Sequence, residues 1–269
     1  ISNTLLVQPL SGIKNEQNIV NYDLKLKLSD RLIIPFFTEK HLHDINQYFK
    51  DAGLWAGISA AESNVNINNT SFAATRLSAT PGILKVLGSQ LVTGEDVTIK
   101  DPEKYIWISQ SLWQNAFSGQ DSALGSLIKI GNKDHIIAGV IEDVLAVPSE
   151  DRIIAQQYWL IADLDKVAAI PETGDFGGTI NSLLLLTKTP STAPSSEAIQ
   201  QWQAQYVENN LPAENAAFVL QFMKQVQTET EITAYRDALL GHTSALLTIL
   251  FIAVFGLLTM AVLNLLNMY

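Results

Sequence analysis

A chain of 269 residues, 47% of them hydrophobic, is long enough to bury one large core or two smaller ones. Its formal charge of −10 and the lack of any Lys/Arg cluster remove the electrostatic footprint that holds a phosphate backbone, so nucleic acid is not an expected partner. With no cysteine, a disulfide framework, a thiolate nucleophile and a thiolate-bound metal are all excluded.

The chain opens on Ile1 with no export signal ahead of its globular sequence, which leads to the expectation that it is an excerpt of a longer protein. From Asn21 to Leu28, Leu24, Leu26 and Leu28 alternate with Asp23, Lys25 and Lys27, the two-residue period of a half-buried strand. After Pro35, Leu42, Ile45, Tyr48 and Phe49 recur at helical spacing between Thr38, a candidate N-cap, and Gly53; this predicts a helix over Glu39–Lys50. Trp55 to Leu77 reads as short strands broken by Asn-rich turns around Asn64 to Asn69, and Pro81 to Leu87 as a short helix.

A strand over Tyr105–Ile108 and a helix over Gln110–Phe117 come next, then a hairpin whose arms, Leu127–Ile130 and His135–Ile141, flank Gly131 and Asn132. Tyr158–Leu164 reads as a strand running into a Gly-rich loop, Gly174–Gly178, suited to a subdomain junction. Ser182–Lys188 is a buried strand. Ser196 is the expected cap of a helix bearing Ala198, Ile199, Trp202 and Tyr206 on one stripe. The stretch AAFVLQFMKQV reads as a further strand completing a β-α-β unit, and from Thr228 the pattern turns helical. Gly241, at ~1 kcal/mol, is too weak a breaker to part that helix from the uncharged run Thr243–Leu263. At ~1.5 Å per residue that run covers roughly 30 Å, the hydrocarbon thickness of a bilayer, and is read as a membrane span.

Reactive constellations are sparse. No G-x-x-x-x-G-K-[ST] run cradles phosphates, and no H-E-x-x-H pairs histidines on a helix face. His41, His43, His135 and His242 are scattered; His41 and His43, two apart, turn to different faces of a helix and are expected to be solvated. Gly57-Ile58-Ser59-Ala60-Ala61 approaches a nucleophile elbow but lacks its second glycine. The pairs Glu95/Asp96, Glu142/Asp143 and Glu150/Asp151 read as solvated loop carboxylates, and Gly174 with Gly177 and Gly178 as turn residues. No catalytic, cofactor-binding or metal-ligating residue is nominated, and the chain is not expected to be an enzyme.

Two stretches carry a family resemblance. In LSATPGILKVLGSQLVTGED, Ser78, Thr80, Pro81, Leu84, Leu87, Gly88, Gly94, Glu95 and Asp96 resemble a strand, turn, short helix and acidic turn of the MacB-type periplasmic core, with Glu95 where that family usually has Arg. Downstream, Ile108, Ser109, Phe117, Ala123, Leu124, Gly125, Ile128, Ile137, Gly139 and Val140 are similar to its next helix and strands. The ending with Asn264, Asn267 and Met268 resembles the first helix of the FtsX-like permease module. The resemblance covers about residues 70 to 145 and 240 to 269. Gly88 and Gly94 have an independent reason as positive-φ turn residues, Gly125 as a helix-to-strand corner, and Gly139 as a site of close backbone approach. Asn264 and Asn267, at i and i+3, share a helix face on which amides can bond to a neighbouring helix.

The resemblance to MacB/FtsX-type ABC transporter permeases implies an α+β fold. A porter-like α/β subdomain (1–62 and 179–228) holds an inserted β-rich subdomain (63–178), followed by a stalk helix (229–242) and a transmembrane helix (243–269). It implies residues 1–242 outside the bacterial inner membrane, on the periplasmic or extracellular side. The partners it implies are an ABC ATPase subunit or fused ATPase domain, a second permease copy, a periplasmic adaptor protein and membrane lipid, with no cofactor. The function it implies is coupling of ATP-driven helix motion to export or mechanotransmission. A membrane-anchored extracytoplasmic binding or sensor protein without an ATPase is the alternative from another class. A membrane-tethered hydrolase would require carboxylates converging in a pocket.

Overall fold

A computed structural model describes residues 9–239 other than 30–31, 36, 98–100, 146, 149–152, 165, 167–179 and 226. The expected membrane span, Asn264, Asn267, the Gly174–Gly178 loop, Glu150/Asp151 and stalk residues 240–242 lie outside the described residues. No helix among the described residues is long and apolar enough to cross a membrane.

The architecture mixes α and β. Its strands are β1 (Ile19–Ser29), β2 (Leu32–Pro35), β3 (Leu54–Ile67), β4 (Thr70–Ala79), β5 (Leu91–Gly94), β6 (Tyr105–Ser109), β7 (Leu127–Ile130), β8 (Lys133–Ile141), β9 (Gln157–Ile161), β10 (Ser182–Leu186) and β11 (Gln227–Ala234). Its α-helices are α1 (Glu39–Tyr48), α2 (Ile83–Leu87), α3 (Gln110–Phe117), α4 (Ser196–Asn210) and α5 (Ala213–Gln225). The strands join one sheet in the order β11-β1-β10-β3-β4-β9-β6-β8-β5, with β2 beside β1. Because β7 pairs with both β8 and β3, the strands β3-β4-β9-β6-β8-β7 close into a ring, a small barrel with its interior filled.

Period-two patterning explains how one strand serves two cores. On β3, Trp55 points into a cluster with Tyr22, Phe37, Leu42, Ile45, Leu183, Leu185, Ile199 and Trp202. Farther along the same face, Val65 and Ile67 enter the barrel interior with Ile106, Ile108, Ile128, Ile137, Val140 and Tyr158. Ala56, Ile58 and Ala60 turn the other way into a central cluster containing α2, Trp107, Trp159, Leu184 and Tyr235. The first cluster draws on residues 20–55 and 180–206 and the barrel core on 65–158, while the central cluster draws on both lobes. The run SLLLL of β10 is continuous rather than alternating because Leu183 and Leu185 enter one core and Leu184 the other.

Several expectations need correction. The segment Trp55–Leu77 is not a set of short runs but two long strands joined by Asn68 and Asn69, which take φ of 50° and 63° in a two-residue turn. AAFVLQFMKQV is helical: buried Ala216 and half-buried Val219, Leu220 and Met223 fall at i, i+3, i+4 and i+7 of α5. The helix expected from Thr228 is a strand as far as Ala234. Its alternation of Thr228, Thr230 and Ile232 with Glu229 and Glu231 suits a sheet margin, and β11 pairs antiparallel with β1 from Val20↔Ala234 to Lys27↔Gln227. Only residues 235–239 of the expected stalk are helical among those described. Ser195, not Ser196, caps α4, accepting the Ala198 amide at 3.3 Å; the Ser196 hydroxyl instead donates to the Thr230 carbonyl at 3.2 Å.

Candidate functional site

The start of β1 and the end of β11 lie side by side, with Val20 opposite Ala234, so both ends of the folded domain emerge at one edge. Ahead of β1 lies a strap of residues 9–18, folded on itself by the Leu10 amide donating to Glu16 Oε2 at 3.2 Å. Leu10 and Ile13 are buried in the central cluster, beside the wholly buried Tyr235 at the end of β11. Arg236 Nη2 donates to Glu16 Oε1 at 2.8 Å, tying strap to exit. The burial of Tyr235 pushes its phenol far above the usual range, so it stays neutral and acts by packing.

The strap also grips both the end of α2 and a corner of the barrel. The Lys14 and Asn15 amides donate to the Leu87 carbonyl at 2.9 and 3.2 Å, and Asn15 Nδ2 donates to the carbonyls of Lys85 and Val86 at 3.0 and 3.1 Å. Those carbonyls end α2, where a helix leaves acceptors without intrahelical partners. At the corner after β8, Lys14 Nζ meets Glu142 Oε1 at 3.1 Å and Ser11 Oγ donates to the Asp143 carbonyl at 3.4 Å. Gly12 has φ +73°, and any side chain there would collide with the Asp143 carbonyl. Asp143 in turn accepts from the Ser111 amide at 2.9 Å and from the Ser111 hydroxyl, fixing the first turn of α3. A cleft of about 700 Å³ lies between strap and corner, lined by residues 9–18 together with Gln110, Glu142 and Asp143.

The sequence-nominated positions are dispersed. Gly88 and Gly94 take φ of 74° and 90°, Gly125 takes 82° at a turn facing open space, and Gly139 lies within β8. A Cβ on Gly139 would press on Leu91 Cδ1 at 2.9 Å, the Glu95 carbonyl at 3.0 Å and Trp107 Cδ1 at 3.1 Å. Gly88 alone of these borders the junction, packed against Lys14 and Asn15. Glu95 and Asp96 are exposed, whereas Glu142 and Asp143 are not merely solvated loop carboxylates but the corner's tie points. Gly57 is packed against Ile180 inside β3, and Ser59 Oγ accepts the Asn181 amide at 3.0 Å, a structural use of that serine.

His43 is exposed as expected, but His41 is buried, because α4 lays Trp202 and Tyr206 over it. No group of three or more His, Asp or Glu side chains able to hold a metal occurs among the described residues. The junction itself was not nominated from sequence. Its central ion pair joins residues 220 positions apart, and no local pattern marks Glu16 or Arg236.

A domain of a protein assigned as a permease, from Porphyromonas gingivalis, has a similar structure, at 16% identity and a TM-score of 0.55 over 83% of this chain and 93% of that one. The chain therefore has the fold of that permease domain. Two other structures overlay less closely. The periplasmic region of MacB from Actinobacillus actinomycetemcomitans gives 15% identity and a TM-score of 0.48 over 80% of this chain and 96% of that one. The extracellular domain of the noncanonic ABC-type transporter YknZ from Gram-positive bacteria gives 13% and 0.47 over 80% and 100%. No protein-family profile and no curated protein matches the chain.

Proposed function

We propose that the chain is the extracytoplasmic domain of a MacB/FtsX-type ABC transporter permease and that it works by passing movement on rather than by making or breaking bonds. The observation that carries this reading is the junction: both ends of the folded domain meet there, and one strap ties the exit to α2 and to the barrel corner. Any displacement of the flanking segments would reach the body of the domain at that point. Close behind the exit in sequence comes the uncharged run Thr243–Leu263, of bilayer length. The fold shared with a permease domain supports the class without fixing the function.

On this reading residues 1–242 lie on the periplasmic or extracellular side of the bacterial inner membrane. An ABC ATPase subunit or fused ATPase domain drives the motion, and a second permease copy is the surface against which the domain shifts. A periplasmic adaptor and lipid are its further contacts. Because β11 runs to Ala234 and Tyr235 and Arg236 belong to the junction, a test must spare them. Residues 237–242 are replaced by a Gly/Ser segment in the intact membrane protein. ATP hydrolysis is expected to persist while transport falls to background; unchanged transport sinks the mechanical reading. An intact protein that co-purifies with no ATPase activity leaves the membrane-anchored binding or sensor protein in its place.

A further inference from the structure

We infer that the strap of residues 9–18 is a coupling element with two attachments, hinged at the chain exit through Glu16 and latched releasably to the barrel corner through Lys14; the inference rests on the mechanical reading above. The hinge is the Glu16–Arg236 pair, whose side chains are only 14% and 27% exposed and which sits beside the buried Tyr235. The latch is the Lys14–Glu142 pair across the cleft, whose side chains are 51% and 29% exposed. An ion pair that open to solvent holds weakly and is screened by salt, whereas the less exposed pair is screened less. The strap's two ion pairs therefore differ in how readily they let go.

Beyond the latch the route is continuous. Gly12 lies against the Asp143 carbonyl, and the Asp143 carboxylate holds the Ser111 amide at the start of α3. Helix α3 sends Leu112 into the barrel core, so it is the barrel's lid. Arg236, Glu16, the strap, Asp143 and α3 thus form an unbroken chain of packed and hydrogen-bonded groups from exit to lid. Contiguity of this kind becomes a coupling route once both ends are shown to bias the same element.

The experiment reads amide hydrogen exchange in the peptide spanning Ser109–Phe117 and in residues 235–239, on the full chain in lipid nanodiscs without nucleotide. Lys14→Met is expected to raise exchange in α3 about twofold to fivefold, as much as so exposed a pair can supply, while leaving 235–239 unchanged. Salt of about 1 M, where the screening length is about 3 Å, should do the same to the parent chain and add nothing to the variant. Glu16→Gln is expected to raise exchange in both places, whereas Arg236→Lys, which keeps a cation beside Glu16 and leaves the Glu16 bond to the Leu10 amide intact, stays near the parent level. If Glu16→Gln disturbs only the strap and 235–239, or Lys14→Met leaves α3 unchanged, the strap is no coupling element. Exchange is read without transport, so that outcome leaves the mechanical reading standing. Coupled exchange alongside normal transport in the Gly/Ser variant overturns the mechanical reading alone.

Discussion

The His41 ring packs against Tyr206 and Trp202 with centroids 4.6 and 6.0 Å away, while its Nδ1 accepts the Thr38 amide at 3.1 Å. That bond places the ring proton on Nε2 and pins the start of α1. Burial first, and the Lys40 charge second, lower the His41 pKa to about 4. In the unfolded chain it returns toward 6.5, so between those values the unfolded state binds more protons and stability falls as pH is lowered. The contribution is whole above pH ~6.5 and is lost progressively toward pH ~4. Urea unfolding at pH 7 and pH 5 should show a loss of about 2 kcal/mol in the parent chain that is missing from His41→Gln. Parallel pH profiles for the two would mean His41 is not held neutral by its surroundings. Nothing near His41 in the sequence announces this burial, because the aromatic side chains that cause it arrive from α4, more than 150 positions later.

Elements declared by local periodicity were legible: α1, β6, α3 and the β7–β8 hairpin fall close to where spacing and turn residues put them. Misreadings came where a β-forming composition concealed a helical stripe, as in α5, or where a strand's partner was distant in sequence, as in β11 against β1. The candidate site was illegible for the second reason, since Glu16 and Arg236 become neighbours only through that pairing. Pairing extent also ranks the strands. Strand β7 completes the barrel through a single register pair with β3, Asn66↔Lys129, and Leu127 on it is 59% exposed. Amides of 127–130 should therefore exchange before those of β6 and β9, since thinly paired margins open locally first. Equal protection across these strands by exchange mass spectrometry would contradict the seam.

At the scale of the whole molecule, the two lobes share β3 and a central cluster to which both contribute, including α2, Trp107, Trp159 and Tyr235. Neither lobe can open without exposing that shared surface, so they should melt together. Calorimetry is expected to give one transition with equal calorimetric and van't Hoff enthalpies; two resolved transitions would show that the lobes hold themselves up separately.

The pairing of Val20 with Ala234 sets the chain's departure and return about 5 Å apart, the spacing of neighbouring strands. Everything between those points is a detour whose size is invisible to whatever adjoins it. Such a detour can be enlarged, trimmed or exchanged wholesale without altering the distance its neighbours must span.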